Sequence, residues 1–136
     1  MKTLAALLLL AVSASALCEP AECPLQGTWK SDAPRTLADI AANDAKSRPS
    51  MNAISNDFFG HMVHEWTCTE LRSGFDYQSR PAQMTYRIAE QTSEFLLVTF
   101  PDGEDADLRL VWEGDCYKIR FGENRYYEYF CPVERP

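Results

Sequence analysis

Two short strings hold the residue types best suited to chemistry. "HMVHE" sets His61 three residues before His64 and closes on Glu65. On a helix the two histidines would share a face, but the zinc-protease pattern needs His-Glu-x-x-His. The flanking residues alternate instead with the period of a strand, and there residues three apart point to opposite sides. The expectation is therefore His64 semi-buried beside Trp66 and His61 in solvent, with no metal between them. "PDGEDAD" gathers Asp102, Glu104, Asp105 and Asp107, oxygen ligands of the kind calcium takes. The EF-hand spacing is absent, so the string reads as a polar hairpin loop that blunts edge pairing. No Gly-x-Ser-x-Gly elbow, Cys-x-x-Cys pair or phosphate-cradling glycine loop occurs, and no cofactor is implied. The chain is expected not to be an enzyme.

Aromatic residues form the other notable set. Trp66, Tyr86, Trp112, Tyr127 and Tyr129, with Tyr117 and Phe121, would suit an apolar pocket with hydroxyls at its mouth. Aromatic side chains are equally the natural filling of a small curved sheet, and both readings stand at this point.

The first 16 residues bear on location. Lys2, the apolar run "LAALLLLAV" and the small-x-small pattern at Ala14 and Ala16 read as a secretory signal peptide. Lipid attachment at Cys18 is disfavoured by the bulky Leu17 before it. The expected location is periplasmic or extracellular. Residues 17–136 then make one domain, without a second apolar run of membrane length. The net charge of −7 becomes −8 once Lys2 leaves with the leader. An acidic surface repels phosphate backbones, so nucleic acid is excluded, while a cationic protein is a permitted partner.

The elements change character near Gly60. Before it the period is helical: Thr36 is the expected N-cap with Asp39 at the capping-box position, and a second short helix is expected over residues 50–59. Pro34, Arg48 and Pro49 fall in the connections. After Gly60 the period is two. "GHMVHEWTC", "QMTYRIA", "EFLLVTF", "ADLRLVW", "CYKIRF" and "RYYEYFC" read as six strands, divided by "RSGFDYQSRP", "QTS", "PDGED", "EGD" and "GEN". Short connections require antiparallel neighbours. With a strand at Trp29, about seven strands form a mainly β (α+β) meander whose two helices lie between strands 1 and 2. Met62, Trp66, Met84, Tyr86, Leu110 and Trp112 should share its concave face, since a one-residue slip would bury Arg87 and Arg109.

Gly27-Thr28-Trp29 on a first strand, a helical insertion and a meander ending "YEYF" resemble the lipocalin-like proteins of the calycin superfamily. The resemblance implies a calycin-like barrel, small or incomplete because only about 76 residues follow Gly60. It also implies that Trp29 closes the barrel base under an arginine from the last strand, Arg125 or Arg135. Its functional counterpart is an exported binding protein for a small apolar molecule. The alternative is an exported inhibitor or interaction protein that docks on a partner enzyme.

Five cysteines follow the leader, and export favours their oxidation. Strand direction in the meander pairs Cys23 with Cys68 and Cys116 with Cys131, leaving Cys18 over. A three-residue "GEN" turn would set Cys116 opposite Phe130 instead, so a bulge is expected there.

Overall fold

A computed structural model describes residues 23–44, 58–103, 107–120 and 125–134. In chain order these form β1 (Gly27–Ser31), α1 (Ala33–Asn43), β2 (Met62–Trp66), β3 (Glu70–Phe75), β4 (Ala82–Thr85) and β5 (Arg87–Gln91). Then come β6 (Phe95–Thr99), β7 (Leu108–Glu113), β8 (Cys116–Ile119) and β9 (Glu128–Pro132). All nine strands join one antiparallel sheet in the order β4-β3-β2-β1-β9-β8-β7-β6-β5. The first strand pairs with the second and the last, so the two ends of the domain meet. The outermost strands, β4 and β5, are consecutive in the chain and separated by Tyr86 alone. One bent segment thus joins both sides of the sheet, and the meander becomes a nearly closed barrel.

The strand count exceeds the expected seven for two reasons. "QMTYRIA" is broken at Tyr86 into β4 and β5. The string "RSGF", read as a divider, belongs to β3, which pairs with β2 through Trp66↔Leu71 and His64↔Ser73. Its Gly74 looks like a turn residue but has a packing role: a Cβ there would stand 3.1 Å from Pro81, because the β3–β4 loop folds back onto the wall. The turn before β3 is made by the Thr67 hydroxyl, which accepts from the Glu70 backbone N–H at 3.0 Å.

The helical part also differs. The N-cap is Asp32, whose carboxylate accepts from the Arg35 N–H, and Pro34 lies inside the first turn. Proline has no N–H to lose there and its fixed φ suits the helix, so Pro34 does not delay the start. Thr36 is the fourth residue of α1, not its cap. The second expected helix falls almost wholly on residues 45–57, outside the described residues, as do Arg48 and Pro49; Phe58 and Phe59 are bend and turn.

Alternation along the strands fills the interior. Trp29, Trp66, Tyr86, Leu96, Leu110, Tyr117 and Phe130 are buried in one cluster, with Met62, Met84 and Trp112 packed against it. The six residues expected on the concave face all belong to this cluster or its margin. Outside the sheet, Ile40 of α1 meets Phe59 and Tyr126 in a second cluster.

Candidate functional site

The candidate residues separate onto two sides of the wall. Trp66 and Tyr86 are buried inside and Trp112 is half-buried beside them. Tyr127 and Tyr129 lie on the outer face, because β9 turns Glu128 and Phe130 inward. The Cys116–Cys131 bridge contains the signal that fixes this. Bridged cysteines on paired strands share a face, and Tyr117 points inward, so Cys131, Tyr129 and Tyr127 must point out. Glu128, absent from the sequence-level candidates, is consequently a buried carboxylate.

Inside, aromatic rings occupy the centre. Trp29 contacts Tyr117 at 4.8 Å and Trp112 at 6.0 Å between ring centroids, and His64 stacks on Phe130 at 4.2 Å. Their polar atoms satisfy one another. The Trp66 indole N–H donates to the Tyr117 hydroxyl at 3.0 Å, leaving that hydroxyl to donate to His64 Nδ1 at 2.7 Å. An Nδ1 that accepts belongs to a neutral imidazole. Burial agrees, since desolvation lowers the His64 pKa to about 4. The Tyr117 hydroxyl is pushed up for the same reason. Near the start of β9, Glu128 accepts from the Ser31 hydroxyl at 2.6 Å, and Ser31 Oγ accepts from the Gly60 N–H at 3.0 Å. Desolvation raises the Glu128 pKa, against the opposing hydrogen bond from Ser31.

His61 stands apart from His64, just ahead of β2, where its Nδ1 lies 3.0 Å from Asp76 Oδ1. No group of three metal-ligating side chains occurs among the described residues. Of the acidic loop, residues 104–106 lie outside the described residues. Trp29 does not have the guanidinium cover that the calycin resemblance implies among the described residues. Its indole N–H donates to the Leu25 carbonyl at 2.8 Å, Arg125 is exposed, and Arg135 lies outside the described residues. Cys18 and Phe121 also lie outside them. The bridges present are Cys23–Cys68 and Cys116–Cys131. The second needs no bulge: the register Tyr117↔Phe130 sets Cys116 opposite Cys131, and the "GEN" string itself lies outside the described residues.

Outside, a cleft of about 530 Å³ runs between α1 and the β7–β8 turn, lined by Arg35, Asp39, Glu113 and Tyr129. Lys118 borders it, 2.6 Å from Glu113 and over the rings of Tyr127 and Tyr129. That ion pair holds the Glu113 carboxyl below its usual range. Across the wall the β3–β4 loop presents Tyr77, 64% exposed, its ring stacked on Phe75. A smaller cleft of about 170 Å³ opens beside Met84 and Phe100. Among the described residues no helix is long and apolar enough to cross a membrane. The chain matches no family model, no curated protein and no solved structure.

Proposed function

We propose that this chain is an exported docking protein that meets a cationic protein through its outer wall. The observation that supports this reading over a carrier is the filled interior. Trp29, Trp66, Trp112, Tyr117 and Phe130 pack ring against ring, and the central polar atoms bond to one another. The cleft beside Met84, at about 170 Å³, falls below the roughly 300–1,000 Å³ of ordinary ligand pockets. The cleft of about 530 Å³ that falls within that range lies against α1 on the outer wall, away from the interior aromatics. Two disulfides fit an oxidising compartment. A net charge of −7 favours a basic partner, by steering its approach.

Tyr77 is the side chain to test, being an exposed aromatic braced by Phe75 and flanked by Asp76, which pairs with Lys30 at 2.9 Å. Tyrosines held this way are common binding hot spots. The experiment immobilises the oxidised protein in the host's extracellular fraction and reads capture at low and raised salt. A basic protein should be retained, be released by salt, and bind Tyr77→Ala at least about tenfold more weakly, as a hot-spot truncation costs. A small molecule retained stoichiometrically in native mass spectrometry would overturn the reading in favour of a carrier.

A further inference from the structure

The outer wall holds a disulfide whose two sulfurs have different surroundings. Cys116 and Cys131 face each other on paired strands, with a Cα–Cα distance of 4.3 Å. The bridge therefore spans segments already held together by the ladder. Cys116 is 1% exposed, and the Arg35 guanidinium lies 2.9 Å from its Sγ, with an Asp115 carboxylate oxygen at 3.3 Å. Cys131 is half-buried, and an Asp32 carboxylate oxygen lies 3.7 Å from its Sγ. Asp32 caps α1, so the first turn of the helix and its arginine both sit over the bridge.

We propose that Cys116–Cys131 is a reversible modification site, opened by a dithiol reductant that attacks Cys131 and expels Cys116 toward Arg35. Exposure decides which sulfur is reached. Charge decides which one leaves. Each sulfur has a carboxylate beside it, Asp115 at 3.3 Å from Cys116 and Asp32 at 3.7 Å from Cys131. Among the described residues Cys116 alone also has a guanidinium, Arg35 at 2.9 Å, to meet a thiolate. In the first step a thiolate of the reductant bonds to Cys131 Sγ. The Cys116–Cys131 bond breaks, and its electron pair leaves on Cys116. The second thiol of the reductant, as thiolate, then attacks its own sulfur in the mixed disulfide and releases Cys131. The dithiol has become a disulfide, and its two electrons and two protons now reside on two cysteine thiols. Each product has a partner in place: Arg35 donates to the Cys116 sulfur, and the Cys131 S–H donates to Asp32. The β8–β9 ladder survives the reaction, so the change is local and can be reversed.

The test uses the full oxidised chain under native conditions. A pulse of 2-mercaptoethanol, acid quench, alkylation and peptide mapping should find the thiol adduct on Cys131 and the alkyl group on Cys116. The rate of opening by dithiothreitol is then compared in Arg35→Met and Arg35→Lys. A neighbouring cation shifts a thiol by one to two pKa units, so Arg35→Met should slow opening by roughly three- to tenfold. Arg35→Lys, which keeps the charge, should stay within about twofold of the parent on the same reasoning. Reduction of Cys23–Cys68 should not change in either variant, which also reports that the fold is intact. Arg35 is 47% exposed, which suits it to replacement. Adducts on Cys116, an unchanged rate in Arg35→Met, or a bridge that resists dithiol until the protein unfolds would each overturn the proposal; the adduct map needs no variant.

Discussion

His64 is a histidine kept neutral by its neighbours. It is enclosed by Phe130, Trp66 and Tyr117, and it accepts the Tyr117 hydroxyl proton. Its folded pKa of about 4 lies below the ordinary value of 6.5. Above pH 6.5 neither the folded nor the unfolded chain protonates it, and its contribution to stability is complete. Below that, the unfolded chain takes a proton the folded chain refuses, so stability falls until about pH 4, by about 3 kcal/mol in all. Glu128 has the opposite sign. Its raised pKa lets the folded state protonate first on acidification, which offsets part of the loss at the acid end of the window. The expected outcome is a melting temperature that drops between pH 6.5 and 5 in the parent and stays nearly flat in His64→Gln. Glu128 and every other group cancel in the comparison, so parallel curves would show that His64 is not the titrating group.

At the scale of elements, α1 completes the edge of β9 where β1 stops. After Ser31 leaves the ladder, Asp32 N–H still reaches the Tyr129 carbonyl at 2.8 Å. The helix then supplies side chains as acceptors. Thr36 Oγ1 takes the Tyr129 N–H at 3.1 Å, and Asp39 takes the Tyr127 N–H at 2.7 Å. Thr36→Val keeps the shape and leaves a buried N–H unpaired, which should cost about 1–3 kcal/mol. Denaturant unfolding measures it; a loss under about 0.5 kcal/mol, within the range of ordinary surface changes, would mean water replaces the hydroxyl. This arrangement also shows why the sequence misled. Thr36 and Asp39 stand at capping-box spacing, and the local signal is genuine, but both side chains serve a strand some 90 residues later. No short-range pattern contains that partner. Glu128 was hidden by a different step. Its face follows from the bridge, once Cys131 is required to share a face with Cys116. The inward positions of Trp66, Met84 and Leu110 were legible because each lies in a strand whose alternation is unbroken, and Tyr86, at the break, is buried in the same cluster.

For the whole molecule the decisive place is the join between β4 and β5. The meander and the adjacency of neighbouring strands could be read from short connections, because antiparallel pairing needs nothing longer. Near closure could not, since it depends on β1 meeting β9 and on one segment bending to serve two neighbours. Tyr86 is the residue at the bend. Its ring packs edge-on against Trp66 at 4.9 Å, its hydroxyl donates to the Thr67 carbonyl at 2.7 Å, and its backbone N–H donates to the Thr69 carbonyl. The bend is thereby fastened to the β2–β3 turn on either side of Cys68, which is bridged to Cys23 ahead of β1. Tyr86→Ala removes the ring and the hydroxyl bond together, and should cost about 3–5 kcal/mol, as large aromatic deletions do. The loss should not be uniform. The β3–β4 and β5–β6 ladders are joined along the chain by this residue, so their amides should exchange faster, while those of β8 and β9 keep more of their protection. Tyr86→Phe keeps the ring and should lose about 1 kcal/mol, the worth of one hydrogen bond, with little change in exchange. Uniform loss of protection across all the strands of Tyr86→Ala would mean that the barrel opens as one unit, without a weak line at the bend.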